Sequence, residues 1–169
     1  VVNRPPTLCA GCPHRGFFYA LSKRKNVMIT GDIGCYTLGG AAPLNAMDTT
    51  ICMGASVSLG HGAKKIFDKY NEGMRVVSVI GDSTFFHSGM TSLLDVTYNK
   101  GNTITCILDN RVTAMTGHQD NPGTGYTLQG DTTKIADIPT IVKALGIENV
   151  RTVNPLKLDE LNDAFDWAF

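Results

Sequence analysis

Two short apolar segments with a helical pattern between them dominate the middle of the chain. Residues 76–80 and 104–108 are rich in Val, Ile and Leu and have the length of buried strands. Residues 84–99 between them predict a helix, because apolar side chains recur at helical spacing. A strand, a helix and a second strand in this order predict a βαβ unit with two parallel strands. The helix positions that we expect to be buried are Phe85, Met90, Leu93, Leu94 and Tyr98.

The same alternation of strands and helices continues on both sides of this unit. It predicts an α/β fold, a parallel sheet with helices on both faces, in one domain over residues 1–169. Because the sequence stops inside the last predicted helix, we expect it to be part of a longer polypeptide. Residues 111–130 predict a long loop with no regular structure, which is either a functional loop or a disordered segment. The remaining predicted strands are 26–30, 48–53 and 149–153, and the remaining predicted helices are 13–23, 54–70, 131–145 and a last one that carries Leu158, Leu161, Phe165 and Ala168 on one stripe.

Polar residues follow each strand of the central unit. Gly81, Asp82 and Ser83 come after the first strand, and Asn110 follows the second. Parallel strands bring their carboxyl ends to one edge of the sheet, where ligands bind in such folds. A carboxylate and an amide oxygen are hard donors that suit Mg²⁺ together with phosphate oxygens. The alternative is an ordinary turn with a helix N-cap. The recurrence at the second strand favours a metal–phosphate site.

The overall charge narrows the classes of partner. The chain has 15 basic and 15 acidic residues, so nothing favours nucleic acid or an anionic membrane surface. No apolar run is long enough to span a bilayer, and no signal peptide is apparent. An odd number of cysteines, five, does not suggest a secreted disulfide framework. We therefore expect a cytoplasmic protein that binds neither nucleic acid nor membranes.

Three of the cysteines have a spacing that suggests metal chemistry. Cys9 and Cys12 form a C-x-x-C before the first helix, and Cys35 lies in a glycine-rich loop at a strand end. The alternatives are a redox dithiol, zinc, an iron–sulfur cluster that would need a fourth ligand, or thiols packed without a ligand. Cys52 and Cys106 lie in apolar segments and are expected in the core.

The sequence G-D-S followed by N-R-V resembles the pattern of thiamine diphosphate enzymes. The resemblance implies that Asp82, Asn110 and the backbone carbonyl of Val112 hold Mg²⁺, which binds the cofactor's diphosphate. It also makes Ser83 a diphosphate contact. The other residues that we expect near the cofactor are Gly34, Cys35, Gly54, Ala55, Ser56, Gly81 and Thr113.

Longer stretches resemble the 2-oxoacid:ferredoxin oxidoreductases, and among these the α subunit of indolepyruvate ferredoxin oxidoreductase. They are R-P-P-T-L-C-A-G-C-P-H-R, G-D-I-G-C-Y-T-L-G and D-N-R-V-T-A-M-T-G-H-Q. The likeness covers nearly the whole chain and corresponds to the diphosphate-binding domain of a longer subunit. It implies that Cys9, Cys12 and Cys35 ligate a [4Fe–4S] cluster, with a fourth ligand from a later segment.

The resemblance also implies an activity. An aryl pyruvate such as indolepyruvate would be decarboxylated oxidatively to an acyl-coenzyme A, and electrons would pass through iron–sulfur clusters to ferredoxin. His14 and His118 are candidates for proton transfer. A second domain or subunit would supply the pyrimidine half-site, so we expect no turnover by this chain alone. The alternatives are a non-oxidative thiamine diphosphate-dependent decarboxylase or synthase, and a non-catalytic zinc- or nucleotide-binding module.

Overall fold

The sheet of the computed structural model, which describes residues 2–169, has four parallel strands. The strands are β1 (Val27–Gly31), β2 (Thr49–Thr50), β3 (Arg75–Gly81) and β4 (Ile104–Leu108), in the order β2-β1-β3-β4. β3 pairs with β1 on one side and with β4 on the other. The register of the last pair sets Gly81 beside Leu108. The predicted parallel sheet is thus confirmed, and the ends of β3 and β4 lie side by side.

Helices cover both faces of the sheet. They are α1 (Pro13–Leu21), α2 (Ala55–Lys69), α3 (Asp82–Thr84), α4 (Met90–Tyr98), α5 (Ile138–Ala144) and α6 (Leu158–Ala168). A π-helical turn, Phe85–Gly89, joins α3 to α4, and a 3-10 helix, Cys35–Gly40, follows β1. Because β3 alternates its side chains between two apolar clusters, it carries the core on both faces. One cluster contains Phe17, Phe18, Leu21, Val77, Val79, Leu161 and Phe165, and the other Val57, Ile80, Phe85, Leu93, Val96 and Val142.

The helix of the central unit differs from the prediction in its phase. Phe85 and Leu93 are buried as predicted and Met90 is half-buried, but Leu94 is 50% exposed and Tyr98 is 83% exposed. Within α4 the buried face is defined by Leu93 and Val96. At about 100° per residue, Leu94 lies about 100° and Tyr98 about 140° around the helix from Leu93, away from that face. The expectation for Leu94 and Tyr98 was therefore wrong, because both lie outside the apolar stripe that packs against the sheet.

Two other predicted elements are shorter than expected. The strand expected at 48–53 is confined to β2, so Cys52 lies exposed in the turn before α2 and not in the core. Cys106 is half-buried in β4 and packs against the core as predicted. The helix expected at 131–145 begins at Ile138, because Asp137 caps it and accepts a hydrogen bond from Thr140 N (2.9 Å). Pro139 in the first turn marks the same start.

The segment 149–153, which was predicted to be a strand, has no strand partner among residues 2–169. It is separated from β4 by a cleft of about 850 Å³ that both segments line. Asn154 accepts a hydrogen bond from Leu156 N, and α6 begins at Leu158, with Leu161 and Phe165 in the core. No helix in the described part of the chain has the length and apolar composition needed to cross a membrane.

Candidate functional site

The carboxyl ends of β3 and β4 form one wall of a small cavity of about 100 Å³. Asp82 begins the short helix α3 directly after β3, and Asn110 comes two positions after the end of β4. Both residues line the cavity, together with Val112 and Thr113. The loop after β1 contributes Gly34 and Cys35 from the opposite side. The structure therefore brings most of the residues predicted from the sequence into one place.

Asp82 is the buried charge of this cavity. Its side chain is 3% exposed, and Oδ2 accepts a hydrogen bond from Asn121 Nδ2 at 3.1 Å. Burial raises the pKa of Asp82 above its ordinary value, while hydrogen bonds from Ser83 N–H and Asn121 oppose that rise. Among the described residues, no Lys or Arg forms a salt bridge with this carboxylate. A buried carboxylate that lacks a cationic partner and faces a cavity fits a divalent cation.

The other two oxygens proposed for the metal stand on the loop after β4. Asn110 is exposed, and its Oδ1 accepts a hydrogen bond from Val112 N at 3.3 Å, which closes an Asx turn. That turn fixes Asn110 and Val112 relative to each other. A hydrogen bond of 2.9 Å from Thr113 Oγ1 to Ser83 Oγ joins this loop to the residue after Asp82. The donor set is thus built from two loops that are held together at the cavity.

The two histidines proposed for proton transfer differ in position. His14 lies in the first turn of α1, is 6% exposed and lines the cavity, with its ring 6.4 Å from the Tyr36 ring. Burial lowers the pKa of His14, which favours the neutral imidazole. His118 is exposed, at a positive φ of 62°, between the bridged residues Thr113 and Gln119. It does not line the cavity.

Asp32 is a buried carboxylate that the sequence analysis did not assign. It follows β1 as Asp82 follows β3, and it is 0% exposed. Oδ1 accepts hydrogen bonds from Ile33 N (2.8 Å) and Gly54 N (2.7 Å), and Oδ2 accepts one from Ser56 N at 3.3 Å. Asp32 therefore binds the start of α2 to the loop after β1. The signal in the sequence was a second Gly-Asp pair after a predicted strand.

The segment 54–56 was expected to lie near the cofactor. Gly54 has a φ of +86°, and a Cβ there would lie 2.0 Å from Ser88 Oγ, so only glycine fits. Ala55 is half-buried. The Ser56 side chain is 0% exposed, and its Oγ has no hydrogen-bond partner among residues 2–169. None of the three lines the cavity, since the main chain of Gly54 and Ser56 is turned toward Asp32.

The three cysteines predicted to bind metal lie near one another. Cys9 and Cys12 belong to a tight turn in which Cys12 N donates to Cys9 O (3.2 Å), with Gly11 at a φ of +72°. Burial raises the pKa of the Cys35 thiol, and the neighbouring Cys12 and Cys9 raise it further. However, no three or more His, Cys, Asp or Glu side chains within residues 2–169 are arranged to hold a metal ion. As they stand, these thiols do not fit a cluster.

Sequence reasoning missed two further residues that shape the cavity. Asn121, in the long loop, orients Asp82 and accepts a hydrogen bond from Gly123 N at 2.8 Å. Tyr36, in the 3-10 helix, is 7% exposed, and its hydroxyl lies 2.9 Å from Thr84 Oγ1. The N-P-G turn that contains Asn121 was visible in the sequence, whereas nothing nearby in the sequence indicated that Tyr36 reaches Thr84.

The comparisons with known proteins agree with this architecture. Residues 23–169 match the model of the family described as "Thiamine pyrophosphate enzyme, C-terminal TPP binding domain". The chain belongs to this family. Thiamine pyrophosphate, which is thiamine diphosphate, is thus the cofactor class of the fold, as the resemblance implied. The cavity at the ends of β3 and β4 is where a parallel α/β sheet binds its ligand.

The chain is also similar to curated relatives named "Indolepyruvate oxidoreductase subunit IorA". It is 42% identical to the protein of Archaeoglobus fulgidus over 98% of this chain and 26% of that protein. It is 44% identical to that of Thermococcus kodakarensis, over 92% of this chain and 26% of the relative. The chain therefore spans about a quarter of the length of the curated relatives that it matches.

Solved structures of low sequence identity share the fold. A 2-oxoglutarate:ferredoxin oxidoreductase from Magnetococcus marinus superposes with a TM-score of 0.79 at 16% identity, over 99% of this chain and 60% of that one. A benzoylformate decarboxylase from Polynucleobacter necessarius gives 0.61 at 16% identity, over 93% and 30%. Because both identities are this low, these likenesses concern the fold alone.

Proposed function

We propose that this chain is the domain that binds Mg²⁺ and thiamine diphosphate in a 2-oxoacid:ferredoxin oxidoreductase that acts on an aryl pyruvate such as indolepyruvate. The observation that carries the proposal is the buried Asp82, which faces a cavity at a strand end and has no cationic partner among the described residues. The similarity to indolepyruvate oxidoreductase subunits supports the substrate class.

The residues of this chain anchor the cofactor. Asp82, Asn110 and the carbonyl of Val112 would hold Mg²⁺, with the diphosphate oxygens completing its shell. The Ser83 hydroxyl, fixed by Thr113, would contact the diphosphate. When bound, thiamine diphosphate supplies the carbanion stabilisation that decarboxylation of a 2-oxoacid needs. His14, held neutral by burial, is in place to accept a proton beside the cavity.

The rest of the reaction requires parts outside this domain. A second domain or subunit would provide the pyrimidine half-site, coenzyme A would accept the acyl group, and ferredoxin would accept the electrons. The last two partners are those that the resemblance of the sequence to the 2-oxoacid:ferredoxin oxidoreductases implies. Turnover by this chain alone is not expected, so the proposal is tested first by binding.

The second part of the proposal concerns an iron–sulfur cluster. We infer that Cys9, Cys12 and Cys35 are three ligands of a [4Fe–4S] cluster whose fourth ligand lies outside residues 1–169. Their proximity supports this, since Cys9 and Cys12 both raise the pKa of Cys35. Because their present arrangement does not fit a metal, no step is assigned to a cluster. Anaerobic purification of the full-length subunit, followed by iron, sulfide and zinc analysis, tests the inference.

The outcomes of that analysis separate the candidate functions. Iron with an equal amount of acid-labile sulfide supports the oxidoreductase. Zinc without sulfide supports the non-catalytic binding module. Absence of both, with thiamine diphosphate bound, supports a non-oxidative decarboxylase or synthase. A Cys35→Ser variant that keeps the full iron content would contradict the assignment of that ligand.

The metal–diphosphate site has its own test. Thiamine diphosphate is titrated into the chain by calorimetry, with Mg²⁺ and then with EDTA. We expect binding that depends on Mg²⁺ and that Asp82→Ala weakens by at least about 100-fold, because a metal ligand is lost. Asp120→Ala is the control, because Asp120 is an exposed aspartate in the long loop 111–130 and does not line the cavity. Equal affinity of Asp82→Ala and wild type would refute the site.

A further inference from the structure

Tyr36 fills a space that two glycines leave open. A Cβ at Gly34 would lie 2.6 Å from the Tyr36 ring, and a Cβ at Gly81 would lie 2.3 Å from it. Neither glycine has a left-handed φ, since the values are 167° and −83°. Glycine is therefore required at both positions by contact with the ring and not by backbone conformation. The ring thus touches the loop after β1 and the turn after β3.

The Tyr36 hydroxyl continues this connection by hydrogen bonds. It lies 2.9 Å from the carbonyl oxygen of Ile33 and 2.9 Å from Thr84 Oγ1. A carbonyl can only accept, so the single phenol proton goes to Ile33, and the Thr84 hydroxyl must donate to the Tyr36 oxygen. Tyr36 and Thr84 are both buried, so the chain of bonds is shielded from water.

Thr84 and Tyr36, the two residues that this hydrogen bond joins, each lie close to a residue proposed to bind a ligand. Thr84 belongs to the short helix α3, which Asp82 begins. Tyr36 directly follows Cys35, and both residues line the cavity with Asp82. Burial raises the pKa of Tyr36 to about 12, so the phenol stays protonated and keeps its hydrogen bond to Ile33. The position of the turn that carries Asp82 is thus tied to the loop that carries Cys35.

We propose that Tyr36 is a positioning residue that, through its hydrogen bond with Thr84, holds the Asp82 turn in the geometry that binds Mg²⁺ and thiamine diphosphate. This inference rests on the proposed function, because it needs Asp82 to be a metal ligand. It assigns to Tyr36 no contact with the reacting atoms. Loss of the hydroxyl is expected to weaken cofactor binding while the fold is retained.

The test compares Tyr36→Phe with wild type by titrating thiamine diphosphate at fixed Mg²⁺ and by thermal unfolding without ligand. We expect the Kd to rise about fivefold, which corresponds to one lost neutral hydrogen bond. Tyr98→Phe is the control, since that side chain is 83% exposed on the neighbouring helix. If Tyr36 had a purely structural role, Tyr36→Phe would lower the Tm. It would leave the Kd for thiamine diphosphate unchanged at temperatures where the variant and the wild type are both folded.

Variants of Thr84 examine the same bond from its other end. Thr84→Val removes the hydroxyl and keeps the shape, so it should raise the Kd as much as Tyr36→Phe does. Thr84→Ser retains the donor and should bind like wild type. Because the two residues share one bond, the variant with both Tyr36→Phe and Thr84→Val should be no weaker than either single variant. If Tyr36→Phe does not fold, the Thr84 pair decides the question.

The outcomes distinguish this inference from the function on which it rests. Wild-type binding that depends on Mg²⁺, together with an unchanged Kd in Tyr36→Phe and Thr84→Val, would overturn the inference and leave the proposed function intact. Wild-type chain that shows no Mg²⁺-dependent binding of thiamine diphosphate would overturn both. A raised Kd in the two variants, and not in Tyr98→Phe or Thr84→Ser, supports the positioning role.

Discussion

The chain contains the same dipeptide, Gly-Asp, after two adjacent parallel strands, and the two copies have different environments. Asp32, after β1, is surrounded by three backbone N–H donors, two of them from the start of α2. Asp82, after β3, accepts a side-chain hydrogen bond from Asn121 and lines a cavity. Both side chains are buried.

The difference shows what separates a structural carboxylate from a binding one. The Asp32 carboxylate is hydrogen-bonded by backbone N–H groups that are fixed parts of the fold. Its role is therefore structural. The Asp82 carboxylate is destabilised by burial, since its pKa is raised. A cation that enters the cavity would relieve this cost. The predictions below test whether the two aspartates have separate roles.

The largest expected effect is that of Asp32→Ala on folding. The change leaves the N–H groups of Ile33, Gly54 and Ser56 without their acceptor, in a site that water does not reach. We expect a loss of about 3–5 kcal/mol in the free energy of unfolding, measured in urea. Asp48→Ala is the control, because Asp48 accepts one backbone hydrogen bond, from Ile29 N, and should lose about 1 kcal/mol. Equal losses would contradict a special role for Asp32.

Gly54→Ala examines the partner of Asp32. The new Cβ would meet Ser88 Oγ at 2.0 Å, at a φ of +86°. We expect a loss of about 2 kcal/mol in the free energy of unfolding. Gly73→Ala isolates the backbone contribution, because Gly73 has a φ of +65° and nothing within 4 Å of its would-be Cβ. That control should lose about 1 kcal/mol. If both variants lost the same amount, the contact with Ser88 would have no energetic weight.

Asn121→Ala examines the partner of Asp82. Removing the amide that orients the carboxylate should weaken the binding of Mg²⁺ and thiamine diphosphate about tenfold, as for other groups that orient metal ligands. Asn154→Ala is the matched control, because Asn154 also accepts from a backbone N–H two positions on, and it does not line the cavity. Calorimetry gives the affinities. A tenfold loss of affinity in Asn154→Ala as well would show that the effect is not specific to Asp82.

The smallest effect concerns pH. Because the folded-state pKa of Asp82 is raised above 3.8, protonated Asp82 stabilises the fold at low pH, and this contribution disappears as the pH rises through the folded-state pKa. The ligand-free wild type should therefore lose stability relative to Asp82→Asn between pH 3 and pH 7. Urea unfolding of both at several pH values measures the difference. A difference that stays constant, or that changes in the opposite direction, would contradict a buried and unpaired carboxylate.

The sequence was sufficient to predict the parallel sheet and the location of Asp82 and Asn110 at one cavity, because strand length and strand order determine both. It was not sufficient to separate Asp32 from Asp82. Two of the three N–H groups that donate to Asp32 belong to Gly54 and Ser56, which approach it through the packing of α2 and not through neighbouring sequence. The exposure of Leu94 and Tyr98 was also not predictable from the pattern, since Leu93 and Leu94 are both apolar and only the packing of α4 determines which of them is buried.

The most direct test is a crystal structure of the chain soaked with Mn²⁺, as a substitute for Mg²⁺, and thiamine diphosphate, with the anomalous signal of manganese located. The account predicts a metal peak about 2.2 Å from an Asp82 carboxylate oxygen and beside Asn110, with the diphosphate bound to the same ion, and no metal at Asp32. A peak at Asp32, or a bound diphosphate whose metal does not touch Asp82, would contradict it.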